Sequence, residues 1–289
     1  MIGYLRRLAR RRREREQADT EETFHYYGFD IPIHLARMTG GGPETWDVIG
    51  PGHMAQYERY APISPTHTIL ELGCGIGRDA IELTRLLSPR GRYIGVDIIR
   101  PSIDWARANI SARFPHFEFH HFDIYSDVHN TIGIHRASDF PLPSKSGCVD
   151  RIIAQSVFTH LFREDVTYYL GEFKRILKPD GLAFTTFFLL DDETRELMAA
   201  QVKPATVVPD LTFGYEYAPG VWINDAKHPE GAVAYHHDVV ESLIAESGLD
   251  LIALHRGYWP GRTGTSDGQD IAILRRALPD TASQSHIRP

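Results

Sequence analysis

The sequence predicts an α/β fold: a mostly parallel sheet of seven strands with helices on both faces and the last strand antiparallel. Three observations carry this. From Thr68 onward, short apolar runs alternate with segments of helical spacing, as strand–helix–strand units require. A glycine cluster, Gly73–Cys74–Gly75–Ile76–Gly77, separates the first such run from the first such helix. The last two runs, Leu249–His255 and Asp270–Leu274, are joined by a glycine-containing loop with no helix, so they pair antiparallel.

The elements follow in order. Glu21 to Pro65 is aromatic-rich and irregular, broken at Gly40–Pro43 and again at Pro51–Gly52, so it reads as helices and loops with one short helix over His53–Tyr60. Thr68–Leu72 is a buried strand. Asp79–Leu87 is helical from Ala80, Ile81, Leu83, Leu86 and Leu87. Tyr93–Val96 is the second strand. Ser102 is a candidate N-cap for the helix carrying Ile103, Trp105 and Ala106. Phe117–His121 and Val149–Ala154 are strands. Asp165–Leu177 is a helix, stopped by Lys178–Pro179–Asp180–Gly181, and Leu182–Phe188 is the fifth strand. Asp238–Ser247 is a helix ending at Gly248, before the final strand pair.

Composition bounds the function classes. A 42% hydrophobic content in 289 residues supports a sizeable core. No apolar run reaches the roughly 20 residues of a membrane helix, and no apolar region follows the basic N-terminus as in a secretory signal. The net charge of −7 argues against nucleic acid as the main partner. Two cysteines without zinc-type spacing fit a reducing, cytoplasmic setting. Seven arginines crowd residues 6–15, which reads either as a solvated tail or as a peripheral contact with an anionic membrane surface. The expected organisation is a basic tail over 1–20, a helical and loop segment over 21–66, a main domain over 67–278 and a C-terminal tail over 279–289.

The glycine cluster carries the first chemistry. Glycines between a strand and a helix let the backbone turn sharply and bring helix N–H groups to a ligand; alternatively they make only a tight turn. Asp97 ends the next strand about 20 residues on, where an acidic residue accepts from both ribose hydroxyls of a bound nucleotide.

Glu71–Leu72–Gly73–Cys74–Gly75–Ile76–Gly77 resembles motif I of the class I S-adenosylmethionine-dependent methyltransferases, a Rossmann-like family. The acid two positions before the first glycine, and G-x-G-x-G in place of G-x-G-x-x-G, set it apart from nicotinamide dehydrogenases. The likeness continues through Gly95–Val96–Asp97, Phe122–Asp123–Ile124, Cys148–Val149–Asp150, Gln155–Leu161 and Phe173–Gly181. It implies S-adenosylmethionine as cofactor and S-adenosylhomocysteine as product. By that resemblance Gly73, Gly75 and Gly77 border the methionine and ribose, and Glu71 organises the amino-acid end. Asp97 holds the ribose, and Asp123 accepts from the adenine amino group with Ile124 nearby. Gln155 and Ser156 line the methyl-transfer face. Cys74 within the first motif and Ile98 directly after Asp97 also count among the cofactor-binding positions, and Tyr57 is a candidate for the cofactor carboxylate. Tyr125 to Ser146 is longer than the family's short loop and is either a flap over the adenine or a surface excursion.

The acceptor side is expected at the carboxyl ends of the strands, under a cap over 191–237 that is rich in Pro, Gly and aromatics and lacks periodicity. Removing a hydroxyl proton during methyl transfer needs a base. His160 is the first candidate, with His236 and His237 next; each alternatively makes only structural hydrogen bonds. Asp191 and Asp192 either cap a helix or bind a divalent cation. The aromatics, histidines and acids near the mouth favour a small-molecule or glycan hydroxyl as acceptor. A non-catalytic cofactor-binding protein and a nicotinamide oxidoreductase are the alternatives.

Overall fold

The computed structural model describes residues 22–200 and 211–277. The arginine-rich segment, with the membrane contact considered for it, lies outside the described residues, as does the C-terminal tail. Among the described residues no helix is long and apolar enough to cross a membrane.

The chain enters through a hairpin, β1 (Thr23–Tyr26) against β2 (Phe29–Pro32). Its two-residue turn places Tyr27 at φ 44° and Gly28 at φ 84°, as a tight hairpin turn requires. This corrects the expectation of helices and loops alone. Helix α1 (Ile33–Met38) and helix α2 (Pro43–Tyr60) follow. The break expected at Pro51–Gly52 does not occur. Pro51 is exposed, whereas Trp46, Gly50 and Tyr57 share the buried face of α2, and that packing outweighs the lost backbone bond.

The main sheet is built from β3 (Thr68–Leu72), β4 (Arg92–Asp97), β5 (Phe117–His121), β6 (Val149–Ala154) and β7 (Leu177–Phe187), with two later strands. β7 starts earlier than expected, because Leu177 pairs with Val149 before an irregularity returns the strand to register at Leu182. Between these strands lie α3 (Arg78–Leu83), α4 (Arg100–Ala106) and α5 (Arg163–Ile176). Ser102 is not an N-cap: Pro101 starts α4 earlier, Ile99 holds the cap position, and Ser102 is fully buried.

The cap is a second, small sheet rather than an irregular loop. It comprises β8 (Leu189–Leu190), β9 (Tyr215–Ala218), β10 (Val221–Ile223) and β11 (Val233–His236) in the order β8-β11-β10-β9. Strands of two to four residues are too short to leave a period in the sequence. Helix α6 (Asp192–Ala199) follows β8, and Asp191 caps it by accepting from the Thr194 N–H at 2.8 Å. Of the two readings for that acid pair, the geometry gives the cap.

Helix α7 (His237–Glu246) leads to β12 (Leu249–His255) and β13 (Asp270–Arg276). The main sheet has the order β12-β13-β7-β6-β3-β4-β5, with β13 antiparallel to both neighbours. Ile69 and Leu70, adjacent in β3, enter cores on opposite faces. The face of Ile69 also holds Tyr26, Ile31, Trp46 and Tyr57, so residues 22–66 are a layer of the main domain. Asp270, fully buried, ties the pieces together. It accepts from Trp259 Nε1 at 2.7 Å, from the N–H groups of Leu189 and Gly257 at 2.9 Å each, and meets Arg256 Nε at 3.1 Å.

Candidate active site

Gly73, Gly75 and Gly77 adopt φ values of 76°, 53° and 96°, which only glycine takes without strain. The loop is pinned at both ends. Gly73 and Cys74 donate to the Val96 carbonyl at 2.8 and 3.1 Å. The Gly75 N–H donates to Asp97 Oδ2 at 2.7 Å, and the Ile99 N–H to Oδ1 at 2.8 Å. The Ile98 N–H adds a third backbone donor, so the four acceptor positions of the carboxylate are one short of filled. Burial pushes the Asp97 carboxyl upward, against the pull of the Ile99 and Gly75 N–H groups. Ile98 is half-buried against the adjacent core.

Two residues missed by sequence reasoning clasp this loop from the N-terminal layer. Thr39 Oγ1 accepts from the Ile76 N–H at 3.2 Å, and Arg78 Nη1 donates to the Gly40 carbonyl at 2.7 Å. A Cβ at Gly75 would lie 2.5 Å from Thr39 Cγ2, and one at Gly73 would lie 2.4 Å from Val157 Cγ2. Nothing near Thr39 in the sequence signals a contact with residues so distant in the chain.

Beneath the loop is a buried polar cluster. Glu71 accepts from the Tyr93 hydroxyl, and burial together with the Asp79 charge raises its pKa. Asp79 accepts from the Tyr57 hydroxyl at 2.5 Å and lies 2.9 Å from His53 Nδ1. Burial opposes its ionisation, but His53, Arg78 and Tyr57 together hold it below the usual carboxylate range. Tyr57 is therefore not free for a cofactor carboxylate: it is buried and its one proton is committed to Asp79. The Cys74 thiol is likewise in the core, beside Gly95, with its pKa raised by burial.

At the end of β5, Asp123 and Ile124 meet the long insertion. Asn130 Nδ2 donates to Asp123 Oδ1 at 3.3 Å and to the Ile124 carbonyl at 2.9 Å, while His135 N–H reaches the Asp123 carbonyl at 3.2 Å. The insertion thus folds back onto Asp123 and Ile124. It also reaches the cap, where the Asp127 N–H donates to Glu230 Oε2 at 2.9 Å.

At the end of β6, Ser156 sits at φ 56°, a strained conformation for a non-glycine residue. Its N–H donates to Thr186 Oγ1 at 2.7 Å, and its Oγ meets Gln269 Nε2 at 2.8 Å. Gln155 Oε1 beside it is buried without a partner among the described residues. With Val157 against Gly73, these residues border the glycine loop.

His160 follows in the same loop. Its Nδ1 lies 2.8 Å from the Glu230 carbonyl, and its ring meets His129 edge-on at 5.3 Å. Burial lowers the pKa of both rings, that of His129 to about 4. The other two candidate bases are elsewhere. His236 caps α7 with its ring, accepting from the Asp238 N–H at 3.4 Å. His237 lies 3.2 Å from Glu241 along the same helix. Neither contacts the glycine loop among the described residues.

Residues 69–181 match the family model of a methyltransferase domain. The match takes in the glycine loop, Asp97, Asp123, Gln155, Ser156 and His160, within less than half of the chain. A protein from transposon Tn4556 of Streptomyces fradiae is 30% identical to this chain over 117 residues, 40% of this chain and 29% of that protein. The tRNA N(3)-cytidine methyltransferase METTL2 of Gallus gallus is 25% identical over 127 residues, 44% of this chain and 31% of its own length. The chain thus spans less than a third of either relative. Among solved structures, a methyltransferase of Leishmania major superposes with a TM-score of 0.53 at 15% identity, covering 84% of this chain and 78% of that one. That likeness shows the shared fold.

Proposed function

We propose that the protein transfers the methyl group of S-adenosylmethionine to a hydroxyl oxygen of a small molecule or sugar. The observation that carries this reading is the Asp97 carboxylate, buried at the glycine loop and held there by backbone N–H groups that leave it an acceptor position. The unpartnered Gln155 oxygen beside the same loop fits a ligand there as well. Asp97 would hold the ribose, the loop from Gly73 to Gly77 would border the methionine, and Asp123 would receive the adenine amino group. When bound, the cofactor supplies an electrophilic methyl group on a sulfonium.

His160 serves as the base in this reading. A carbonyl only accepts, so the ring nitrogen facing Glu230 carries the hydrogen and Nε2 keeps a lone pair. Burial favours the neutral ring that a base requires. Nucleic acid is not part of the proposal, because a net charge of −7 opposes phosphate binding. Neither is a metal step. A reducing cytoplasmic setting belongs to the same reading, since the two cysteines lack zinc-type spacing.

Calorimetric titration with S-adenosylmethionine, S-adenosylhomocysteine and NAD tests the reading. Micromolar binding of the first two and none of NAD is expected. Binding of NAD alone overturns it.

A further inference from the structure

Three glutamines near the transfer face end in buried amide oxygens that lack a hydrogen-bond partner among the described residues: Gln56, Gln155 and Gln269. Contacts string them together. Gln269 Nε2 donates to Ser156 Oγ at 2.8 Å, and Gln155 precedes Ser156. Gln56 Nε2 donates to Asp267 Oδ1 at 3.0 Å, two residues before Gln269. Tyr60 donates to the other Asp267 oxygen at 2.7 Å.

The orientation of Gln56 is dictated by chemistry. A carboxylate only accepts, so the amide nitrogen must face Asp267 and the oxygen must be left over. Ser156 both donates and accepts, so Gln269 serves it with either end and leaves the other for a ligand. An unpaired buried amide group costs about 1–3 kcal/mol. Three in one region are a cost to the free protein that a ligand offering several hydrogen-bonding groups would remove. The strained Ser156 backbone, held by Thr186 on one side and Gln269 on another, belongs to the same arrangement.

We propose that Gln56, Gln155 and Gln269 recognise the methyl acceptor, and that the acceptor is a polyol or sugar. This rests on the methyl-transfer reading above. A sugar brings several hydroxyls to these amides; a simple phenol brings one and leaves the rest unpaired, so the site disfavours it.

The test uses the full chain saturated with S-adenosylhomocysteine and titrated with myo-inositol, methyl α-glucopyranoside and phenol. At least one polyol is expected to bind, and phenol is not. Gln56→Met and Gln269→Met should each weaken polyol binding by about tenfold or more. Both should leave S-adenosylhomocysteine affinity unchanged, and Gln269→Met should unfold at the parent temperature or above. Failure of both polyols to bind, equal binding of phenol, or variants that bind polyol like the parent would overturn the proposal. Weakened S-adenosylhomocysteine binding in the variants would also overturn it, by assigning the amides to the cofactor. If the parent chain itself fails to bind S-adenosylhomocysteine, the methyl-transfer reading falls first, and this proposal with it.

Discussion

The Nδ1 of His160 is held 2.8 Å from the backbone carbonyl of Glu230, seventy positions along the chain in the cap. That one bond fixes the ring's tautomer and joins the loop after β6 to the cap turn Pro229–Gly231. His160→Ala is expected to lower kcat by about 10²–10⁴-fold, the usual worth of a general base. Affinity for S-adenosylhomocysteine should stay at the parent value. Because burial lowers the His160 pKa, the acid limb of the parent's rate profile should fall below the ordinary histidine value of about 6.5. A stopped-flow or tritium-transfer pH series measures it.

The neighbouring ring has a separate consequence for stability. His129 is held to a pKa of about 4 by burial and by the adjacent His160. Between that value and the unfolded value of about 6.5, the unfolded chain binds a proton that the folded chain refuses, so stability falls as pH falls through this window. Urea unfolding at pH 7 and pH 5 should show a loss in the parent, and His129→Phe should lose less over the same interval.

Asp97→Ala removes both the clamp on Gly75 and the seat proposed for a ribose. Cofactor affinity should drop by on the order of 2–4 kcal/mol, seen by calorimetry with S-adenosylhomocysteine. Parent-like affinity would place the nucleotide elsewhere.

Gly75→Ala puts a Cβ 2.5 Å from Thr39 Cγ2 at a backbone φ of 53°. The left-handed conformation alone costs about 1–3 kcal/mol for a non-glycine residue, so a lower urea midpoint is expected together with weaker cofactor binding.

Asp270→Ala leaves Arg256 facing a hole and orphans the donors of Trp259, Leu189 and Gly257. Breaking one side of a buried pair costs about 3–5 kcal/mol, so this variant should show the largest fall in unfolding free energy of the series.

The main sheet was legible because its strands are apolar runs of ordinary length, and the glycine loop because its residue types have few other uses. Asp97, Asp123, Gln155 and Ser156 stand at or just after strand ends, where an apolar run stops and the next residues can be read, and His160 follows a few positions on. The rest hides for physical reasons. The strands of the cap and the first hairpin are too short to impose a period. Pro51 reads as a break because its cost is local, while the face of Trp46, Gly50 and Tyr57 that offsets it depends on tertiary packing. Thr39, Gln269 and Glu230 act through partners from 37 to 113 residues away, a relation no local pattern encodes.

β12 has a single neighbour in the sheet, and that neighbour is β13, which is made after it. A ribosome that has finished Leu249–His255 therefore holds a nascent strand with no place in the sheet, and a β7 edge that is still open. Translation must continue through Arg276 before both edges find their partner. Until then the exposed edge of Leu177–Phe187 is a template for pairing with other chains. Messages truncated between β12 and β13 should yield products that go to chaperones and proteases, and the timing of the last strand decides whether the newly made protein stays out of aggregates.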